Sequence, residues 1–380
     1  MQHTIFRSIL ISIVFLAILV FPILNGQFNF VTDIANNENR KLSEQPLLDY
    51  KHLDSYPHKY ESYYNDNFPI RSILVKYYAY NNLKIFKKSP IPESVIIGKN
   101  GWMYLAGREY ESYKGINNLT NNELFLIKQE LEYRKDYLAK RNCKFYFVVA
   151  PAKTSIYPEN LENNDPSFKL NSWGEQLINY LNNHCKVKPI DVYAELRNRK
   201  RTELLYFKLD NHWNNIGGFY ASNMVLKQMN NDDSSIHINN IKDFRIVKEN
   251  RNIGNIVNMF PNVESFNDFS FELNKIKGYH AVDASLKGYK VPDKFDAELF
   301  ETRRVIRGSK KKKLLIVSDS FGGYMFPFLA ENFSVTEKIF DKWEYKLNES
   351  IVENEKPDVF LMIVLESNLR NIIKYRSFKD

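Results

Sequence analysis

Three runs of apolar side chains restrict what this chain can fold into: KFYFVVAP, with Phe145–Ala150 unbroken, the LLIV of KKLLIVSDSFGG, and PDVFLMIVLES. None shows the polar residue at every second position that marks a one-sided strand, so each reads as a strand covered on both faces. Helical patterns alternate with them. Thr120 and Glu123 form a capping box ahead of a helix whose Leu124, Ile127, Leu131 and Leu138 share a face and which ends near Arg141. Further helices are expected over Trp173–Asn182 and over IGGFYASNMVLKQM, where Gly217 and Gly218 weaken the start, and further strands over Val187–Val192 and ELLYFKLD. This alternation predicts an α/β fold with a doubly wound, mostly parallel sheet. Asn100-Gly101 between two β-rich runs predicts a hairpin over 95–105. The polar stretch 230–300 reads as an insertion, and the helix after Pro69 places Ile70, Leu74, Tyr77 and Tyr78 near one face.

The first 27 residues hold an uncharged stretch from Ser8 to Gln27 behind Arg7, with an apolar part, Ser8–Leu24, near the lower length limit of a spanning helix. No small-x-small cleavage site follows clearly. An uncleaved membrane anchor is therefore expected, with a cleaved signal peptide as the alternative. Arg7 would stay in the cytoplasm and everything after Gly26 would face the periplasm or the extracellular space. The domain plan is thus 1–27 anchor or signal, 28–94 stalk leading into the body, and 95–380 one catalytic domain. Cys143 and Cys185 each precede a β-like run; a disulfide between them and two unpaired thiols are both open readings. The net charge of +8 suits an anionic partner, but the surplus lies on no single face and Lys310–Lys313 marks a solvated strand start, so no nucleic-acid partner is expected.

In a parallel α/β sheet, ligands bind beyond the carboxyl ends of the strands. Three such ends carry chemistry: Ser318, Asp319 and Ser320 in SDSFGG, Asp210 and His212 in KLDNHWNN, and Glu366, Asn368 and Arg370 in LESNLR. Combined, these residues make a candidate Ser-His-Asp triad in which Ser320 attacks, His212 takes its proton and Asp210 orients the imidazole. The backbone N–H groups of Ser320 and Gly322 are candidates for binding an oxyanion. Candidate substrate-lining residues are Lys153, Glu366, Asn368, Arg370 and Trp213, the last reading more readily as core than as a sugar platform. A metal held by Asp210, His212 and Asp319 lacks a second strand-end His and any HExxH or CxxC spacing, so no metal and no cofactor are expected.

In ENRKL, YYNDNFPIR, GKNGWMYL, VVAPAKTSIYPENL, LDNHWN and SDSFG, taken in that order, the chain resembles the alginate O-acetyltransferases of the AlgX/AlgJ type, the DHHW branch of the SGNH hydrolase-like proteins. Asp210 and His212 match that family's D-x-H-W pair and Ser320 matches the serine of its G-D-S-F-like block, with Ser318 standing where a Gly is usual. The resemblance implies a permuted SGNH arrangement, with Asp and His ahead of Ser. It further implies acetyl transfer to an exported polysaccharide, with a multispanning membrane acyltransferase as donor partner. A carbohydrate esterase using the same triad, and a non-catalytic scaffold of an exopolysaccharide complex, are the alternative readings.

Overall fold

The computed structural model describes residues 2–31, 41–51, 53–162, 171–251, 254–260 and 266–378. Glu38–Arg40 of the ENRKL motif lie outside the described residues. The chain divides into two units, one of Met1–Pro92 with Val257–Ser265 and one of Glu93–Ile256 with Phe266–Asp380.

In the first unit, helix α1 (Gln2–Phe28) contains a 24-residue apolar stretch, Ile5–Phe28, long enough to cross a membrane. It extends beyond the run Ser8–Leu24 at both ends, and near its close the Asn25 side chain accepts from the Val31 N–H at 2.7 Å and donates to the Val31 carbonyl at 3.0 Å. Helices α2 (Tyr56–Asp66) and α3 (Arg71–Asn81) follow, the latter extended by a π-turn to Phe86. Ala79 and Leu83 are buried, whereas Leu74, Tyr77 and Tyr78, which the spacing groups on one face, are exposed.

The second unit opens with the expected hairpin. Strands β1 (Val95–Ile97) and β2 (Met103–Leu105) pair antiparallel across Asn100 and Gly101, both at positive φ. Helices α4 (Arg108–Lys114) and α5 (Asn121–Ala139) precede strand β3 (Lys144–Ala150). The Thr120–Glu123 capping box forms in full at the start of α5. Helices α6 (Lys153–Ile156), α7 (Trp173–His184), α8 (Tyr193–Arg199) and α9 (Asn215–Asp232) follow, with no full strand among the described residues between them. Val187–Val192 shrinks to one bridge, Ile190 with Val148, because Pro189 lacks the N–H that would continue the ladder. ELLYFKLD likewise makes a single bridge, Tyr206 with Trp213, and stands outside the main sheet as a loop that turns back on itself.

Residues 230–300 are more structured than an insertion of mixed polarity suggests. They hold β4 (Phe244–Arg251) and β5 (Asp268–Lys275), a separate antiparallel pair, then β6 (Val282–Asp283). The chain continues through α10 (Ala297–Phe300), β7 (Glu301–Val305), β8 (Lys313–Ser318), α11 (Phe321–Ala330), β9 (Val335–Ile339), α12 (Glu349–Glu355), β10 (Val359–Leu365) and α13 (Arg370–Lys374). The main sheet has the order β3-β10-β8-β9-β7-β6, with β3, β10, β8 and β9 parallel and β7 antiparallel to its neighbours β9 and β6. It is a mixed sheet in which β7 alone runs against the others, and β7 and the edge strand β6 come from a region with no clear β pattern. All seven residues of β10 are buried, as a central strand requires.

Cys143 and Cys185 are free, buried thiols. The Cys185 sulfur accepts the Val187 N–H at 3.3 Å, and burial pushes the Cys143 thiol up to about 12.

Gly217 and Gly218 cost helix propensity at the start of α9, and the reason they stand there is contact. A Cβ on Gly217 would overlap the Leu205 carbonyl and one on Gly218 the Tyr324 carbonyl, so Gly217 lets α9 lie against the loop before it and Gly218 lets it lie against α11. Asn214 compensates by accepting the Ile216 and Gly217 N–H groups at 3.0 and 3.1 Å. Gly218→Ala should therefore destabilise by roughly 1–3 kcal/mol, read as a thermal midpoint several degrees lower; an unchanged midpoint would contradict this packing.

Candidate active site

Strand β8 ends at Ser318 and α11 begins at Phe321, leaving Asp319 and Ser320 in the turn between them. Asp319 fixes that turn. Its buried carboxylate accepts the Phe321 N–H at 2.9 Å, the Leu365 N–H at 3.0 Å and the Tyr345 hydroxyl at 2.6 Å. Burial raises its pKa against the lowering effect of these bonds, and with its oxygens committed it is not placed as a metal ligand or base. Ser320 is left half-buried at the N-cap of α11, its N–H without an acceptor among the described residues. The Gly322 N–H, expected as a second oxyanion donor, is instead bonded to the Asp319 carbonyl at 3.2 Å. Gly322 has a packing role: the Ser318 hydroxyl, buried and without a hydrogen-bond partner, occupies the place a Cβ would take.

Asp210 and His212 lie on the loop between Tyr206 and Trp213. The His212 Nε2 is 2.6 Å from the Ser320 Oγ and its Nδ1 is 2.6 Å from the Asp210 Oδ1. An ionised carboxylate only accepts, which places the ring proton on Nδ1 and leaves Nε2 to accept the Ser320 O–H. The ring is held between Phe321 and Tyr324, with centroids 4.9 and 5.8 Å away.

Every remaining lone pair of Asp210 is used. Oδ1 also accepts the His212 N–H at 3.1 Å, while Oδ2 accepts from the Arg251 guanidinium at 3.0 Å and the Asn255 N–H at 3.2 Å. Burial raises the Asp210 pKa, but the hydrogen bonds and charge of His212 with the Asn255 N–H outweigh it and hold the carboxyl well below the usual range. Asp268 adds a clamp by accepting the Leu209 N–H at 2.8 Å. Asn211 donates to Glu109 at 2.6 Å, and burial pushes that carboxyl up to about 7.

Several expected lining residues are structural. Trp213 is fully buried, its indole N–H donating to the Phe321 carbonyl at 3.0 Å. Lys153 is equally buried, its ammonium donating to the carbonyls of Phe207, Lys208 and Asp210 at 3.1, 3.0 and 2.7 Å. Glu366 lies beneath the surface, accepting the Ala152 N–H at 2.8 Å and the Tyr193 hydroxyl at 2.7 Å, with Ser155 also bonded. Asn368 donates to the Tyr345 hydroxyl at 3.1 Å, and Arg370 pairs with Glu123 at 2.7 Å over the ring of Trp173. Arg251, Asn255, Asp268 and Glu109 form the surroundings of the D-x-H loop, and none carries a local sequence signal.

A hydroxyl, an imidazole and a carboxylate in one hydrogen-bonded line is an arrangement able to generate an alkoxide-like nucleophile and hold the resulting imidazolium. Among the described residues no group of three or more His, Cys, Asp and Glu side chains is placed to hold a metal.

A family described as the SGNH hydrolase-like domain of the acetyltransferase AlgX matches residues 95–298, over half of the chain. That span includes Asp210, His212, Arg251 and Asn255 and ends before Ser320. The probable alginate O-acetylase AlgJ of Pseudomonas syringae pv. tomato is 27% identical over 173 residues, 43% of this chain and 40% of that protein. Its namesake in Pseudomonas aeruginosa is 24% identical over 175 residues, 46% and 41% of the two. The chain thus spans about two fifths of the length of these curated relatives. Among solved structures, Bacillus cereus PatB1 is similar with a TM-score of 0.55 and 17% identity, over 72% of this chain and 96% of that one. A DHHW family protein from Eubacterium siraeum is similar with a TM-score of 0.50 and 14% identity, over 76% and 100%. These structural similarities are of fold.

The lowered pKa of Asp210 makes its contribution to stability pH-dependent. Because the folded value lies below the unfolded one of about 3.9, the contribution is present above that pH and is lost as pH falls further. Arg251→Met removes a cation from Oδ2 and should raise the folded pKa, so acid unfolding followed by circular dichroism should begin at higher pH. An acid-unfolding curve identical to that of the wild type would show that Arg251 does not support the Asp210 charge.

Proposed function

The chain belongs to the SGNH hydrolase-like family of the acetyltransferase AlgX, and on that premise we propose that it is an O-acetyltransferase acting on the hydroxyls of an exported polysaccharide through an acetyl-Ser320 intermediate. The observation that carries this reading is the 2.6 Å contact on each side of the His212 ring. In the first half-reaction the Ser320 Oγ attacks the donor's acetyl carbonyl while Nε2 takes the hydroxyl proton. The tetrahedral oxyanion forms next to the Ser320 N–H and the start of α11, and its collapse expels the donor's leaving group with the proton from Nε2. In the second, a sugar hydroxyl gives its proton to Nε2 and attacks the acetyl-Ser320 carbonyl, and Ser320 departs reprotonated. Asp210 keeps Nδ1 protonated throughout and offsets the imidazolium charge.

The polysaccharide acceptor is supported by the alginate O-acetylases among the relatives. A multispanning membrane acyltransferase is our candidate acetyl donor. Helix α1 serves as the membrane anchor, with the body on the periplasmic or extracellular side. We read residues 28–94 as a stalk and 95–380 as the catalytic domain, a permuted and mostly parallel SGNH arrangement in which Asp210 and His212 precede Ser320.

Incubation of the full chain with an activated acetyl ester and candidate oligosaccharides, followed by mass spectrometry of protein and sugar, tests the proposal. An acetyl adduct on Ser320 that passes to sugar supports it. Passage to water alone would make the protein an esterase, and no adduct would remove the intermediate. Ser320→Ala should abolish the adduct while Ser318→Ala, altering a buried hydroxyl, should retain it. Asp210→Asn should lose activity by roughly a thousandfold or more at neutral pH, beyond what its lower thermal midpoint explains, whereas full activity in that variant would exclude Asp210 from the chemistry.

A further inference from the structure

Leu74, Tyr77 and Tyr78, which spacing places on one face of α3, are not covered by any of the described residues. Leu74, Tyr77, Tyr78, Ile85 and Phe86 are each at least half exposed, on a helix of about four turns. Residues 71–88 also carry Arg71, Lys76, Lys84, Lys87 and Lys88 and no Asp or Glu, so this apolar surface belongs to a strongly cationic segment. The same unit contains α1, whose end lies against the turn that leads into α3. A Cβ on Gly26, near the end of α1, would touch the Pro69 ring at 3.4 Å, two residues before α3 begins.

A face of this kind has two physical solutions, a protein groove or a bilayer surface. The composition favours the second. Tyr offers an apolar ring with a polar tip, the shape that settles at headgroup depth, and Lys flanks it as it does on helices lying in an anionic interface. Five cations without one acidic residue complement anionic headgroups, which attract basic residues near a membrane surface. The start of α3 lies beside the end of the helix long enough to cross the bilayer, so the headgroup layer is the surface within its reach. We propose that α3 and its extension to Lys88 lie in the interface of the membrane that α1 crosses, with Leu74, Tyr77, Tyr78, Ile85 and Phe86 seated among anionic phospholipid headgroups. This rests on the reading of α1 as a membrane anchor.

The test uses the full chain in lipid nanodiscs of phosphatidylcholine with or without phosphatidylglycerol. Spin labels are placed one at a time at Leu16→Cys in α1, at Tyr77→Cys and Ile85→Cys on the proposed face, and at Leu299→Cys, an exposed position in the other unit. The native cysteines are buried and serve as an unlabelled background. Accessibility is compared between oxygen, which concentrates in lipid, and a water-soluble nickel chelate. The expected result is a lipid signature at Leu16, a shallower lipid signature at Tyr77 and Ile85, and a water signature at Leu299. In discs with phosphatidylglycerol, the triple change Lys84→Glu, Lys87→Glu and Lys88→Glu should move the Ile85 label toward water. A water signature at Tyr77 and Ile85 beside a lipid signature at Leu16 would overturn the proposal and leave the anchor standing. A water signature at Leu16 would overturn both. Shielding of Tyr77 and Ile85 from oxygen and nickel alike would overturn the lipid reading in favour of a covering protein surface.

Discussion

The ammonium of Lys153 is the interaction on which the site's shape depends. The segment that carries Asp210 and His212 belongs to no sheet, so its carbonyls lack the ladder partners that would otherwise satisfy them. One buried cation takes three of them at once, those of Phe207, Lys208 and Asp210. Burial pulls the Lys153 pKa down to about 7, opposed by the charges of Glu109, Asp210 and Asp268. Tyr104 and Trp102 add their ring faces at 5.0 and 5.7 Å. Because the Met103 N–H also binds the Lys208 carbonyl, at 3.0 Å, the hairpin of β1 and β2, the short helix α6 and the D-x-H loop share one set of contacts.

A second chain of contacts supports the serine side. The Asp319 carboxylate binds the Tyr345 hydroxyl, the Tyr345 carbonyl accepts from Arg134 at 2.5 Å, and Arg134 pairs with Glu130 at 2.7 Å, both side chains fully buried. Glu130 in turn accepts the N–H groups of Ser377 and Phe378. The turn that presents Ser320 is thereby braced by α5 and by the segment after α13. The two halves of the site meet at the 2.6 Å contact between Nε2 and Oγ and at the bond from the Trp213 indole N–H to the Phe321 carbonyl.

The sequence discloses those parts of the fold whose causes are local. Unbroken apolar runs became β3, β8 and β10, a capping box started α5, and Asn-Gly closed the hairpin, since each depends on burial or backbone preference within a few residues. Ser320, Asp210 and His212 were legible because a turn after a strand and a D-x-H pair are short patterns. Arg251, Asn255 and Asp268 were not, since they reach Asp210 and Leu209 across 41, 45 and 59 residues from a polar hairpin with no pattern of its own. Glu366 follows a strand end, as a ligand-facing residue would, yet its side chain faces α6 and α8; position along the chain did not reveal direction. In α3 the periodicity identified an apolar face correctly and could not say whether protein would cover it.

Strand β10 follows every other strand in the chain and lies between β3 and β8. Until it inserts, β3 has no neighbour on that side and the Asp319 carboxylate lacks the Leu365 N–H that helps set the turn. Closing the sheet at its centre therefore joins residues 144–150 to residues 359–365, a long-range pairing of the kind that slows folding. A chain without β10 in place lacks that bond to Asp319, and with it one support of the turn that presents Ser320.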